Sequence, residues 1–352
     1  MSPDPQRPSL SAALARLDDT DVLALVAGAE PLSVGIGGST SRTRVLGTEV
    51  FVKRLPLTRI EEQAPRSTAN VFDLPPACHY GIGSPGFGAG REIAAHELTT
   101  GWVASGATDA FPLLHHWRVL DQPCHADVSE VDGEEARRRW GTAWPRVRRR
   151  VELLASARRS VVLFLEHVPD TLGSWLRGEL ARGAGAAAIS SAARQLVALA
   201  DWTGAHGLLH LDVHPGNVLV RDGRLLLTDF GLSMHRDFLL DPHEREFFSA
   251  HGGYDRDSGL ASLLHWVLAE AGVGPRARRL AVLEAAAQDP RADELRPLRD
   301  RWGDRWGDGA RVVAEHAAVG AAMTTLIDRL SADASATTYA ATVRPGPVTR
   351  TR

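Results

Sequence analysis

The stretch His210-Leu211-Asp212-Val213-His214-Pro215-Gly216-Asn217-Val218-Leu219-Val220-Arg221-Asp222-Gly223-Arg224-Leu225-Leu226-Leu227-Thr228-Asp229-Phe230-Gly231 decides the reading of this chain. Asp222-Gly223 between two short apolar runs is the strongest local hairpin signal, because a type I′ turn needs positive φ at both central residues. Pairing outward from that turn sets Val220 against Leu225, Val218 against Leu227 and Asn217 against Thr228. Asn217 and Asp229 then emerge side by side at the open end of the ribbon. A carboxamide oxygen and a carboxylate held together there make a hard-oxygen site of the kind magnesium prefers. Asp212 lies five residues before Asn217 on a Pro/Gly-containing loop, from which it reaches the same cavity. One carboxylate holds metal and another is free to orient a nucleophile, a division of labour that suits phosphoryl transfer.

Further out, thirty-nine of the forty basic side chains are arginine, and the one lysine is Lys53 in the apolar run Val50-Phe51-Val52-Lys53-Arg54-Leu55. Lysine is a compact charge on a flexible stem, where arginine is a broad planar fork. Phosphate held in a narrow cleft calls for the compact charge. Upstream lies the glycine-rich run Gly35-Ile36-Gly37-Gly38-Ser39-Thr40-Ser41, whose backbone N–H groups suit phosphate oxygens.

The spacing Asp-x4-Asn followed by Asp-Phe-Gly resembles the catalytic and magnesium loops of the protein-kinase-like superfamily. The resemblance runs from about residue 30 to about residue 330 and is sharpest between 205 and 231. It implies an α+β bilobal fold, with a small β-rich N-lobe and a larger helical C-lobe, using ATP and Mg2+. Asp212 would be the catalytic base, Asn217 and Asp229 the magnesium ligands, and Lys53 the contact to the α- and β-phosphates. The carboxylate partner of Lys53 would come from the following helix, with Glu92 the choice and Glu97 the alternative. Gly35, Gly37, Gly38 and Ser39 would form the phosphate loop. Glu166 and Val168, in Glu166-His167-Val168-Pro169, would belong to the hinge that holds the adenine edge.

Departures from the protein-kinase pattern bear on the acceptor. Leu211 replaces the arginine that usually follows the catalytic-loop histidine, which argues against activation through a phosphorylated loop. His214-Pro215-Gly216-Asn217 looks like aminoglycoside and choline kinases, whereas Phe230-Gly231 is the protein-kinase form, and no Ala-Pro-Glu follows within thirty residues. The expected acceptor is a Ser/Thr hydroxyl on a protein or peptide. The runner-up is a small-molecule hydroxyl, for which Asp255, Asp257, Glu270 and Glu284 are scattered candidates to hold a cationic group. A nucleotide-binding pseudokinase scaffold is the non-enzymatic alternative. His210, Asp212 and His214 alternate, so a transition-metal hydrolase is a rival; it leaves Asn217, Asp229 and Lys53 without roles. His210 is better read as a brace for the loop.

The domain reading is a helical extension at 1–29, an N-lobe at 30–168 with insertions at 58–88 and 121–158, a C-lobe at 169–331 and a disordered tail at 332–352. Residues 58–88 read as an inserted loop. The Arg-rich segment 133–158, interleaved by Trp140 and Trp144, resembles a nucleic-acid patch in composition, but a solvated helix with packed tryptophans fits better with a net charge of -3. Trp302 and Trp306 are read as packing residues. Two cysteines, Cys78 and Cys124, fit a reducing compartment. Pro3, Asp4 and Pro5 stand where a signal peptide would be basic and then apolar, and the Ala-rich run 184–200 is broken by Ser190, Ser191 and Arg194. The expectation is a cytoplasmic protein with no membrane contact.

Overall fold

A computed structural model describes residues 7–131, 133–302 and 307–343. The fold is mixed α/β and divides into two compact units, 1–168 with 229–242 and 169–228 with 243–352. The chain therefore crosses between units at 168/169, 228/229 and 242/243. The sequence reading kept 229–242 with the second region; the structure groups that segment with the first.

The first unit opens with helices α1 (Arg7–Arg16) and α2 (Asp19–Ala27), the latter capped by Asp18, whose carboxylate accepts the Asp21 N–H at 2.8 Å. Five antiparallel strands follow: β1 (Glu30–Gly35), β2 (Gly38–Val45), β3 (Thr48–Leu57), β4 (Leu114–Leu120) and β5 (Arg159–Glu166), in the order β1-β2-β3-β5-β4. Helix α3 (Ala89–Ala104) lies between β3 and β4 in sequence, and α4 (Glu134–Trp140) and α5 (Trp144–Ala155) lie between β4 and β5. Side chains alternate across a strand. Val50 and Val52 of β3, with Val162 and Phe164 of β5, pack with Leu10, Leu14 and Val22. Leu55 and Leu57, with Val161, Leu163 and Leu165, pack on Ala89 and Ile93 of α3. Covered on both faces, β3 and β5 read as nearly continuous apolar runs. Lys53 has the same parity as Leu55 and Leu57, so the alternation alone sends it toward α3.

The second unit carries β6 (Asp170–Thr171), α6 (Leu172–Ala181), α7 (Gly185–Ala205), β7 (Leu208–Leu209), β8 (Val218–Arg221) and β9 (Arg224–Leu227). A short strand β10 (Met234–His235) belongs to the first unit. Then come α8 (Pro242–Ala250), α9 (Tyr254–Glu270), α10 (Arg276–Gln288), α11 (Arg296–Trp302), α12 (Gly307–Ala332) and α13 (Tyr339–Val343). The β8–β9 hairpin has the expected register, Val218 opposite Leu227 and Val220 opposite Leu225, and Thr228 N–H donates to Asn217 O at 3.1 Å. Asp222 and Gly223 take φ of 51° and 75°. Nothing in the sequence reading anticipated α8. Among the described residues no helix is long and apolar enough to cross a membrane. Trp306 lies outside the described residues.

The tail is a correction. Residues 339–343 are helical, and Tyr339 is buried with its ring edge-on to Tyr254 at 5.4 Å. Its hydroxyl donates to Asp257 Oδ2 at 2.6 Å, and burial with that carboxylate pushes the phenol pKa up. One aromatic anchor orders a segment whose composition looked disordered; 344–352 lie outside the described residues. Tyr339→Phe removes only the hydroxyl, leaving a buried carboxylate short of one donor. Urea denaturation is expected to show a loss of about 2 kcal/mol.

Candidate active site

In the first unit Lys53 is buried at 8% exposure, with Nζ 2.7 Å from Glu92 Oε1 and donating to Asp229 Oδ1 at 2.8 Å. Glu92 sits in the first turn of α3 at 3% exposure, while the Asp229 side chain stays 44% exposed. Burial alone would favour the neutral amine, but the Asp229 and Glu92 carboxylates outweigh it and hold the Lys53 ammonium well above the usual lysine range. Burial pushes the Glu92 carboxyl up, opposed by the Lys53 charge. Glu97, the alternative partner, is engaged elsewhere: it accepts from Arg66 at 2.6 Å and from Trp117 Nε1 at 3.0 Å.

Asp229 has φ of 66°, the left-handed region, and its carboxylate accepts the Gly231 N–H at 3.4 Å. Next to it, Phe230 is fully buried, with the His96 ring edge-on at 4.8 Å and Phe111 at 6.1 Å. His96 stands one turn after Glu92 on α3, its Nε2 4.0 Å from Glu92 Oε1. An apolar anchor behind Asp229 and a helix behind Glu92 thus share one contact, and both carboxylates are fixed relative to Lys53.

The glycine-rich run forms the β1–β2 hairpin, with Gly35 opposite Gly38 and Ser39 opposite Arg54 on β3. Gly38 has φ of 120°, and a Cβ there would lie 1.9 Å from Arg54 O, so the neighbouring strand demands glycine. A Cβ at Gly35 or Gly37 would meet nothing within 4 Å, so the protein's own packing does not demand glycine there. At the end of β5 the Glu166 N–H is taken by Leu113 O at 2.8 Å, and Glu166 Oε2 accepts the Leu113 N–H at 3.2 Å. Val168, half-buried, closes the first stretch of this unit.

In the second unit Asp212 and Asn217 are in contact. Asn217 Nδ2 donates to Asp212 Oδ2 at 2.9 Å and to Asp212 O at 3.1 Å, which turns the amide nitrogen, and not the carboxamide oxygen, toward Asp212. His210 is buried; its Nε2–H donates to Thr228 O at 2.9 Å and its Nδ1 accepts the Asp212 N–H at 3.2 Å. Both ring nitrogens are occupied by backbone, so His210 braces the loop and has no lone pair for a metal. Among the described residues no group of three or more His, Cys, Asp or Glu is placed to hold a metal ion. His214 Nδ1 accepts the Gly216 N–H at 3.0 Å, shaping the turn into Asn217.

Sequence reasoning missed the role of Asp255. Buried in the first turn of α9, it accepts the His210 N–H at 2.6 Å and the Leu211 N–H at 2.7 Å. Leu211 has φ of 68°, and this carboxylate clamp holds that strained backbone immediately before Asp212. Asp257 is likewise buried, and Glu270 pairs with Arg177 at 2.7 Å. Two of the four acids considered for a cationic acceptor are therefore buried and committed internally; Glu270 is in a surface ion pair and Glu284 is exposed. The available signal was Asp255 entering a helix, a place that favours carboxylates, but nothing in the sequence names its partners. Asp255→Asn turns an amide donor toward one of two backbone N–H groups. It is expected to cost about 3 kcal/mol in urea denaturation, since a buried donor goes unsatisfied and a charged acceptor is lost.

No known family profile matches this chain. It is 37% identical over 71 residues to the serine/threonine-protein kinase PKH3 of Saccharomyces cerevisiae, a match covering 20% of this chain and 8% of that protein. This partial similarity supports a kinase-like relationship, and the chain spans only a small part of the relative's length.

Proposed function

We propose that the chain is an ATP- and magnesium-dependent phosphotransferase that moves the γ-phosphate to an alcohol, with a Ser/Thr hydroxyl of a protein or peptide as acceptor. The observation that carries this reading is the Lys53 ammonium held between Glu92 at 2.7 Å and Asp229 at 2.8 Å. A lysine fixed in this way is a permanent, oriented charge for phosphate oxygens, and the transition state of phosphoryl transfer needs such positioning. Asp212 orients the acceptor hydroxyl and takes its proton. Asn217 Oδ1 and the partly exposed Asp229 carboxylate would hold magnesium, whose preference for oxygen ligands fits both groups. When bound, the ion neutralises charge on the β- and γ-phosphates. The open backbone of Gly35 and Gly37 accommodates phosphate, and the Glu166 carbonyl and Val168 backbone address the adenine edge.

The protein acceptor is supported by Asp229-Phe230-Gly231 and by the partial likeness to a serine/threonine kinase. The internal commitment of Asp255 and Asp257 weakens the case for a cationic small molecule. Chemically competent residues at every catalytic position argue against a scaffold alone. With γ-labelled ATP, magnesium and a size-fractionated lysate, label is expected in the protein fraction, with Asp212→Asn lowering transfer by about 100-fold or more. Label confined to small solutes would move the acceptor to the runner-up class. Nucleotide binding with no turnover on water or any acceptor would leave only the scaffold. Turnover that survives Lys53→Met would exclude the role given to that residue.

A further inference from the structure

Residues 58–88 carry no part of the chemistry above, yet their polar groups, with Glu61 and His79 buried and Thr68 half-buried, converge on two elements that do, α3 and the segment 229–240. All three lie in the first unit. We infer that 58–88 is a built-in latch that holds α3 and the 229–240 segment in register, so that the Lys53 cluster is assembled without modification of the loop. The inference rests on the phosphotransferase reading and names the regulation of that site.

The grip on α3 begins at Glu61. Its buried carboxylate accepts the Ala89 N–H at 2.9 Å through Oε1, placing a negative charge on the first residue of the helix. Oε2 accepts the Thr58 N–H at 3.1 Å and hydroxyl at 2.7 Å, and pairs with the buried Arg150 of α5 at 3.0 Å. The second insertion thus balances the charge of the first. A Cβ on Gly90 would lie 2.1 Å from Ser67 O, so the first turn of α3 touches the latch backbone with no room for a methyl group. One residue on, the buried Arg91 donates from Nε to Thr68 O at 2.8 Å and stacks over Phe87 at 4.7 Å. Glu92, the Lys53 partner, is its chain neighbour.

The grip on 229–240 comes from the same residues. His79 is fully buried and stacked on Phe87 at 3.8 Å. Its Nδ1 lies 3.1 Å from Leu232 O, and its Nε2 lies 3.4 Å from Arg91 Nη1. A carbonyl only accepts and a guanidinium only donates, so the ring is the neutral tautomer with its proton on Nδ1. It therefore links α3 directly to the backbone three residues after Asp229. Further along, Thr68 Oγ1 accepts the Leu239 N–H at 2.9 Å while Thr68 O holds Arg91. The segment is tied at 232 and 239 by the structure that ties α3. Leu211, in place of the arginine that would read a phosphorylated loop, agrees with a site held by such fixed contacts.

The test is hydrogen exchange and Mg-ATP turnover on the full chain. Thr68→Val removes the hydroxyl with little change of shape, Thr68→Ser keeps it, His79→Leu removes the ring donor, and His79→Asn returns an N–H near the Nδ1 position. Amides of 229–240 are expected to exchange about 10-fold faster in Thr68→Val and His79→Leu, with kcat falling in parallel, and Thr68→Ser and His79→Asn are expected to recover most of both. Wild-type turnover is expected to be unchanged by phosphatase treatment. Unchanged exchange across 229–240 in both disruptive variants would overturn the latch, and turnover abolished by phosphatase would overturn its independence of modification. A wild type that turns over no ATP sinks the phosphotransferase reading, while the exchange comparison still decides the latch.

Discussion

A single ammonium ion is buried between two carboxylates, and the arrangement of the first unit follows from keeping it there. Removing Lys53 from water is costly, and only close opposite charge offsets that cost. Two carboxylates against one ammonium leave the cluster with an excess negative charge, and Asp229 is its most exposed member. A partly solvated carboxylate at the end of a buried pair is the kind of group that the proposed magnesium site calls for. Arg54, the next residue, shows what the alternation of the strand does to a cation on the opposite face. It reaches Ser160 Oγ at 2.7 Å and the Pro123 carbonyl at 3.1 Å, on the other side of the sheet from α3. Residue type and strand parity together separate the two roles.

The sheet makes this placement inexpensive in local terms. Apolar residues on both faces of β3 fix its depth and rotation, so Lys53 needs no special backbone to reach α3. The helix is the more demanding partner. Its first turn must present Glu92 to the sheet, accept a carboxylate at Ala89 and admit the Ser67 backbone at Gly90. Packing on Ile93 and Ala89 sets the face of the helix, and the polar contacts of 58–88 set its position along that face.

The legible parts of the sequence were those governed by local rules. Asp222-Gly223 fixed the hairpin register, and the order of the glycine run, lysine strand, helical Glu and Asp-Phe-Gly pointed to residues that the structure brings together in two groups: Lys53 with Glu92 and Asp229, and Asp212 with Asn217. What stayed illegible depends on partners distant in sequence. Asp255 reads as one of four scattered candidates for a cationic group because its partners are backbone N–H groups 44 and 45 residues away. Residues 58–88 have almost no periodicity, so they read as a loop; their order comes from Glu61, Thr68 and His79 finding partners on other elements. Tyr339 shows the same limit, since the polar, small residues around it gave no hint of its buried hydrogen bond to Asp257.

Backbone strain separates turn chemistry from site chemistry. Among the described residues five non-glycine residues have positive φ: Leu46, Asp73, Leu211, Asp222 and Asp229. Leu46 and Asp222 precede glycines in hairpin turns, and Asp73 lies inside a loop closed by Asn70, which bonds both backbone groups of Leu74. Turn geometry explains those three. Leu211 and Asp229 have no such excuse, and each sits beside or within a candidate catalytic element. Such a conformation costs about 1–3 kcal/mol, so it persists only where the surroundings over-determine it. Asp255 does so for Leu211 through two backbone hydrogen bonds, and the buried Phe230 together with Lys53 does so for Asp229. Two strained residues, each held by dedicated buried groups in its own unit, mark the points where the fold gives up local comfort to aim a carboxylate.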